Sequence, residues 1–393
     1  MSSKRGIVLY LHVHQPWRVR EYTVFDTAVN HDYFGECKEP HRNNRAIFEK
    51  VADKSYRPMT RLLKQLLDTH PDFKVSLSIS GTMLEQAEAW APDVIDAFRV
   101  LVETGRTEIV ADTYYHSLAF FFSRAEFERQ VALYRAKIRD LFGVETRVFR
   151  NTELSYDNNL AKWADDNGFK GILAEGWDPI LGWRSPNYVY RPINTKHIKL
   201  LMKNYRLSDD IAFRFGNRDW EEFPLRASKY DTWLNNALGS DGQIVNLFMD
   251  FETFGENIWE DTGIFSFFSD FVDRWLKNPA NTFYTASGAC DAFDAADEID
   301  CPYTTTWADT ERDLTAWLGN SMQHEAMRDL YAMERDVLDS GDIAGRRRHA
   351  YRRHRFNFRL AAFNHERPSI LHVYEMVLRR RRTRVFQPIR FAV

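Results

Sequence analysis

The sequence is short of the features that would place it outside ordinary globular chemistry. It has 3 cysteines in 393 residues, Cys37, Cys290 and Cys301. An odd number of scattered thiols excludes a disulfide framework, and they lack metal-ligand spacing. A reducing, cytoplasmic compartment is expected from that usage. No apolar run approaches the roughly 18 residues needed to span a bilayer. Lys4 and Arg5 precede only a short run, Ile7–Val13, which enters His14-Gln15-Pro16 without a small-residue cleavage site, so no signal peptide is expected. No Gly-x-Gly-x-x-Gly or phosphate-loop pattern follows an apolar run, which argues against a doubly wound nucleotide-binding sheet. The net charge of −3 is small, so nothing general draws the chain to nucleic acid or to an anionic membrane. Internal repeats and low-complexity linkers are also lacking.

What is present is a normal apolar content, 44%, and an aromatic content of 15% with 11 Trp. Trp and Tyr combine a flat apolar face with a polar edge, and sugar rings present apolar C–H faces that stack on such surfaces. A large aromatic core is the alternative reading.

Short apolar strands alternate with helical segments through most of the chain. Strands are expected at Ile7–Val13, Phe73–Ile79, Thr107–Ala111, Arg147–Thr152, Gly171–Ala174, His197–Met202 and Ile244–Met249. Helices are expected at Tyr56–Thr69, Pro92–Thr104, Ala125–Phe142, Asn158–Asn167 and Phe265–Lys277. About seven strand–helix units imply a parallel sheet closing into a barrel. From about Asp291 the pattern becomes helical, at Leu314–Asp339, Gly345–Phe363 and Ser369–Arg382. The expected organisation is a barrel over residues 1–290 and a helical bundle over 291–393 that completes the cleft.

Two of the apolar runs end on acids: Val148-Phe149-Arg150-Asn151-Thr152-Glu153, and Ile244–Met249 followed by Asp250. A carboxylate at the end of a buried strand is costly unless compensated. Two of them, distant in sequence, suggest one pocket, and paired carboxylates are what glycoside hydrolysis uses. A salt bridge to an arginine such as Arg150 is the structural alternative for either acid. His12 and His14 end the first strand on one face, because strand side chains alternate. They suit sugar hydroxyls, a metal, or a buried structural pair. Glu85 follows the second strand at a helix start, where an acid is favourable in itself. Asp112-Thr113-Tyr114-Tyr115-His116 follows the third and supplies a polar, aromatic rim. Asp250 and Glu252 read as sharing a face, and Gly255 permits a sharp exit.

His-Gln-Pro, Gly81-Thr82-Met83-Leu84-Glu85, Arg150-Asn151-Thr152-Glu153-Leu154, Met249 through Glu256, and Trp307…Asp309-Thr310-Glu311-Arg312-Asp313-Leu314…Trp317-Leu318-Gly319-Asn320 occur in that order. Together they resemble the five motif regions of glycoside hydrolase family 57, over about residues 7–325. The resemblance implies an incomplete seven-stranded (β/α)7 barrel followed by a C-terminal helical subdomain. It implies retaining cleavage or transfer of α-1,4-glucosidic bonds in an α-glucan, without cofactor or metal. Glu153 matches the nucleophile and Asp250 the acid/base. His12, His14 and Glu85 match sugar-binding positions around the cleavage point, Trp307 and Asp309 would help close the cleft, and His116 of the rim is a further candidate for substrate binding. In a retaining enzyme the two carboxyl groups stand about 5–5.5 Å apart. One departure is Asn257, where the amylase-like branch carries His; Asn hydrogen-bonds but does not titrate.

Two other readings use the same residues. A metal-dependent hydrolase or deacetylase would be built on His12, His14 and Asp250. A non-catalytic glucan-binding protein would keep the cleft without turnover. The arginine clusters at 346–348, 352–353 and 379–382 read as solvated helix faces, with an acidic partner as the alternative. Oligomeric state, natural glucan, and the choice between hydrolysis, transfer and branching are left open by the sequence.

Overall fold

The computed structural model describes residues 4–18, 34–35, 37–38 and 41–335. The chain forms two compact units. One comprises Met1–Gln15, Phe48–His116 and Ala125–Leu314; the other comprises Pro16–Ile47, Ser117–Arg124 and Thr315–Val393.

The first unit carries the strands β1 (Arg5–Val13), β2 (Val75–Ile79), β3 (Thr107–Ile109), β4 (Val148–Phe149), β5 (Gly171–Glu175), β6 (Val189–Pro192), β7 (Lys199–Lys203), β8 (Ile244–Asp250), β9 (Asn281–Tyr284) and β10 (Glu298–Ile299). β1 lies parallel to β8 along one edge. Its other edge is shared, β9 pairing with Arg5–Val8 and β2 with Tyr10–Val13. β3 follows β2, and beyond it Ala111 bridges in parallel to Phe149 of β4. β5 and β7 continue the parallel order. Asn204 N donates to Asn246 O at 2.9 Å, and Asn246 Nδ2 to Met202 O at 2.8 Å, so the end of β7 meets β8. This curled parallel sheet with its helices fits an α/β barrel. The strands expected from the sequence lie at β1, β2, β3, β4, β5, β7 and β8. Three were not expected: β9, and the pair β6 and β10, of which β6 runs antiparallel to β7.

Alternation along these strands sorts the barrel interior into two levels. Val8, Tyr10, Val148, Leu173, Leu201, Ile244 and Phe248 belong to one buried apolar cluster. Each such side chain contributes about 2 kcal/mol by leaving water. Stepping two residues toward the C-terminal strand ends reaches His12, Arg150, Glu175, Lys203 and Asp250, and from Val110 of the same cluster it reaches Asp112. The floor is apolar and the mouth is charged. Outside, the helix Ile264–Lys277 buries Ile264, Phe267, Phe268, Phe271, Val272 and Trp275, the stripe that 3.6-residue periodicity requires. The Trp275 Nε1–H is satisfied by Thr282 O of β9 at 3.0 Å.

In the second unit the single helix expected from Leu314 is two, Thr315–Leu318 and Ser321–Ala332. Asn320 divides them. Its side chain accepts from Gln323 N while Gln323 Oε1 accepts from Asn320 N, a reciprocal cap that starts a new helix. The segments expected at Gly345–Phe363 and Ser369–Arg382, and the arginine clusters, lie outside the described residues.

Gly255, which turns the chain out of β8, has φ +102°, and a Cβ there would stand 1.9 Å from Lys54 O. Neither the backbone conformation nor the space tolerates a side chain. Gly255→Ala should cost about 3 kcal/mol or more. Scanning calorimetry should show a melting temperature lowered by several degrees, and an unchanged one would refute this account of the turn.

Candidate active site

The first acid sits on strained backbone. β4 ends at Phe149, and the chain then turns through Thr152–Leu154 with Glu153 at φ +58° and Leu154 at +52°. For non-glycine residues such conformations cost on the order of 1–3 kcal/mol each and persist only where the surroundings hold them. Here Trp307 N donates to Glu153 O at 3.1 Å and Leu154 N to Asn151 O at 3.0 Å. The Glu153 side chain is held as firmly. Trp307 Nε1 donates to its Oε2 at 2.9 Å, and its Oε1 lies 2.9 Å from His116 Nε2, which donates when the carboxylate is ionised. His116 is itself at φ +50°. Arg150 Nη1 is 3.5 Å from His116 Nδ1, a contact that suits the tautomer with its proton on Nε2.

Arg150 is fully buried. Nη1 pairs with Asp112 Oδ2 at 3.2 Å, and the guanidinium carbon is 5.0 Å from the Trp307 ring centroid. Its Nε and Nη2 have no hydrogen-bond partner among the described residues. Burial pushes the Glu153 carboxyl up, against the pull of the Arg150 charge and the Trp307 N–H. Asp112, with Oδ1 accepting from Thr113 N at 2.6 Å, is pushed up to about 6, chiefly by burial.

The second acid, Asp250, ends β8 half-buried. Burial raises its proton affinity first and the Glu153 charge raises it further, against Arg150 and Lys203, so that its pKa is about 6. The two carboxyls are thus within electrostatic reach of each other. Glu252 has turned away from the strand. It accepts at Oε1 from Tyr56 Oη at 2.7 Å and from His14 N at 3.1 Å, and burial followed by the Asp250 charge pushes it up to about 8. Asn257 lies in the same turn, its N donating to Glu252 O at 2.9 Å.

The histidines gather beside this pair. His12 Nδ1 is 2.8 Å from Ser78 Oγ and His14 Nδ1 is 2.8 Å from Ser80 Oγ, both serines facing inward from the second strand or its end. His116 stacks on both rings at centroid distances of 4.8 and 4.2 Å. Burial, then the Arg150 charge, holds the His12 pKa well down, so this ring is neutral. One ligand atom from each of His12, His14 and His116 lies within 4.8 Å of the others, a set that could hold a metal ion. A metal there would compete with Glu153 for His116 Nε2 and would face the Arg150 cation. Glu85 is the fifth residue of the helix Gly81–Trp90, past its first turn rather than at the helix start expected from the sequence, and accepts from Tyr114 Oη at 3.1 Å. Asp309 is exposed in a left-handed turn at φ +51°, and no contact among the described residues ties it to either acid.

Of the residues singled out in the sequence, the structure gathers both acids, His12, His14, His116 and Trp307. Sequence reading missed Tyr56 and Ser78, and it did not see that Asp112 and Arg150 form a buried pair. Counting by twos from the apolar positions Val110 and Val148 would have placed both in the interior.

The family profile for glycosyl hydrolase family 57 matches residues 8–302. A protein of Methanocaldococcus jannaschii, provisionally named an α-amylase, is 42% identical over 330 residues, 82% of this chain and 68% of that one. The 4-α-glucanotransferase of Thermococcus litoralis is 25% identical over 158 residues, 40% of this chain and only 23% of the relative. The chain thus spans about two thirds of the first relative and under a quarter of the second. Among solved structures, a branching enzyme from Pyrococcus horikoshii superposes with a TM-score of 0.72 at 14% identity, covering 95% of this chain and 88% of that chain. At that identity the likeness bears on the fold alone. The profile match and the first relative, on top of the ordered motifs, decide the family: the chain belongs to glycosyl hydrolase family 57.

Proposed function

We propose that the chain is a retaining glycoside hydrolase or transglycosylase acting on α-1,4-glucans, with Glu153 as nucleophile and Asp250 as acid/base. The observation that carries this reading is the contrast between the two acids. Glu153 receives two N–H donors, from Trp307 and His116, and neighbours a buried cation. Asp250 has a raised proton affinity, in part because Glu153 is charged. Burial pushes both carboxyls up, but the donors and the cation favour the charge on Glu153 while the Glu153 charge adds to the rise at Asp250, the direction of the division of labour that double displacement needs. The family's membership among glycoside hydrolases and the names of the relatives support the substrate class. An incomplete seven-stranded barrel with a helical subdomain is the architecture this reading assigns.

In the first step Glu153 attacks the anomeric carbon as the glycosidic bond breaks, and the leaving oxygen takes the Asp250 proton. In the second, Asp250 accepts a proton from water or a sugar hydroxyl as that oxygen attacks the same carbon and frees Glu153. Water gives hydrolysis; an acceptor sugar gives transfer. His12 Nε2, buried and without a hydrogen-bond partner among the described residues, is available to a sugar hydroxyl. His14, Glu85, His116, Trp307 and Asp309 complete the proposed substrate contacts. Cys290 and Cys301 are buried thiols outside any disulfide, which fits the proposed cytoplasmic location, and no helix among the described residues is long and apolar enough to cross a membrane.

Incubation with maltoheptaose tests the assignment. The wild-type chain should release shorter sugars, joined by longer ones if transfer operates. Glu153→Gln should abolish turnover while glucan binding persists, and activity within tenfold of wild type would remove Glu153 as nucleophile. Asp250→Asn should slow natural glucans far more than activated aryl glycosides, whose leaving groups need no proton; equal slowing would count against the acid role.

The pH profile follows from the same pair. Activity is lost on the acid side as Glu153 is protonated, and on the alkaline side as Asp250 loses its proton. The kcat/KM profile should therefore be bell-shaped with its alkaline limb near pH 6. A profile still rising at pH 8 would contradict the assignment of Asp250.

The histidine cluster favours a second reading, a metal-dependent hydrolase. Dialysis against a chelator should leave activity unchanged. Loss restored by zinc would favour the metal reading instead.

A further inference from the structure

Below the Trp307 loop lies an ion network that the proposed chemistry does not use. Glu175 and Lys203 are register partners at the ends of β5 and β7, and both side chains are almost completely buried. Lys203 Nζ is 2.9 Å from Asp209 Oδ1 and 3.7 Å from Glu175 Oε2. Arg312 Nη1 bonds Glu175 Oε2, while Nη2 is 3.6 Å from Asp209 Oδ2. The Arg312 guanidinium also lies 4.7 Å from the Tyr205 ring centroid. Two cations and two carboxylates balance within one cluster. Gly176 makes room for it: a Cβ there would stand 2.1 Å from Lys203 O.

Arg312 reaches this cluster from the loop that carries Trp307. Thr306 N donates to Arg312 O at 2.9 Å and Thr306 Oγ1 to Asp313 O at 2.8 Å, closing residues 306–313 into a tied loop. Arg312 holds a left-handed φ of +54° in it. One residue past Thr306, Trp307 contacts Glu153 twice, through its backbone N and its indole Nε1. Lys203 Nζ is 5.5 Å from the Trp307 ring centroid.

We infer that Arg312, Glu175, Asp209 and Lys203 are positioning residues for the carboxylate pair, acting through Trp307: Arg312 fixes its loop against Glu153 and Lys203 holds a cation over its ring. The inference rests on the reading of Glu153 and Asp250 given above. Buried ion groups are a costly way to anchor a loop, since well-packed apolar residues do as well or better. An apolar plug would not hold a cation over the Trp307 ring. The Lys203 charge opposes the rise that burial and Glu153 impose on Asp250.

The test uses the full chain and two readouts. One is the kcat/KM profile against pH on an aryl α-maltoside. The other is the indole 1H–15N signal of Trp307, assigned by its loss in Trp307→Phe and followed through the titration of Glu153. Arg312→Met should shift and broaden that signal, weaken its response to pH and move the acid limb upward, since Glu153 loses a donor. It should lower kcat at least tenfold while changing KM less than threefold, and Arg312→Lys should recover part of both. Lys203→Met should move the alkaline limb up by about half a pH unit or more. Should Arg312→Met fail to fold, Arg312→Lys and Lys203→Met decide. Folded variants with both limbs and the indole titration unmoved would overturn the inference, reducing the network to a structural tie. A wild-type chain inactive on glucans would instead refute the catalytic reading, and the indole titration would still decide whether the network positions Trp307.

Discussion

The site depends on one buried charge. Arg150 is wholly enclosed at the end of β4, with Asp112 as its ion-pair partner and the Trp307 ring beside its guanidinium. Around it stand Asp112, Glu153 and Asp250, each pushed toward the protonated state by burial. Acids crowded in low dielectric cannot all ionise, and without a fixed cation none would do so readily. Arginine suits this place because a guanidinium does not deprotonate in proteins, whereas a lysine buried without enough carboxylate partners readily sheds its proton. The cost is a cation with two donors, Nε and Nη2, unpaired among the described residues.

Barrel geometry places that charge where it acts. Every second residue of β1, β4, β5, β7 and β8 faces inward, and these positions pass from Val, Leu, Ile and Phe to His12, Arg150, Glu175, Lys203 and Asp250. The apolar half supplies stability. The polar half would be unstable alone and is carried by it. Apart from Asn194 in the turn before β7, the non-glycine residues with left-handed φ among the described residues are His116, Glu153, Leu154, Asp309 and Arg312. All five lie in the loops around the mouth, where hydrogen bonds from several directions hold the chain in place.

Much of this was legible in the residues. β1 and β8 are long apolar runs rich in branched and aromatic side chains, and their acidic or histidine ends marked the pocket. β6, β9 and β10 were not legible, because their pairing comes from neighbours rather than propensity. The break at Asn320 escaped notice because a reciprocal cap competes with helix continuation only once Gln323 is seen reaching back. Glu252 was read as sharing a face with Asp250; the turn at residues 251–253 instead delivers it to Tyr56, 196 residues away.

The sequence by itself determined the alternation of strands and helices, the strand-end acids, and the ordered motifs that mark the family. Each is a local property, written in periodicity or in contiguous residues. Tertiary structure alone decided what surrounds each acid. Trp307, 154 residues away, and His116 meet Glu153, while Glu153 and Lys203, from other segments, act on Asp250 together with its burial. Proton affinity is set by distances between charges and by exclusion of water, and neither exists until the chain has closed.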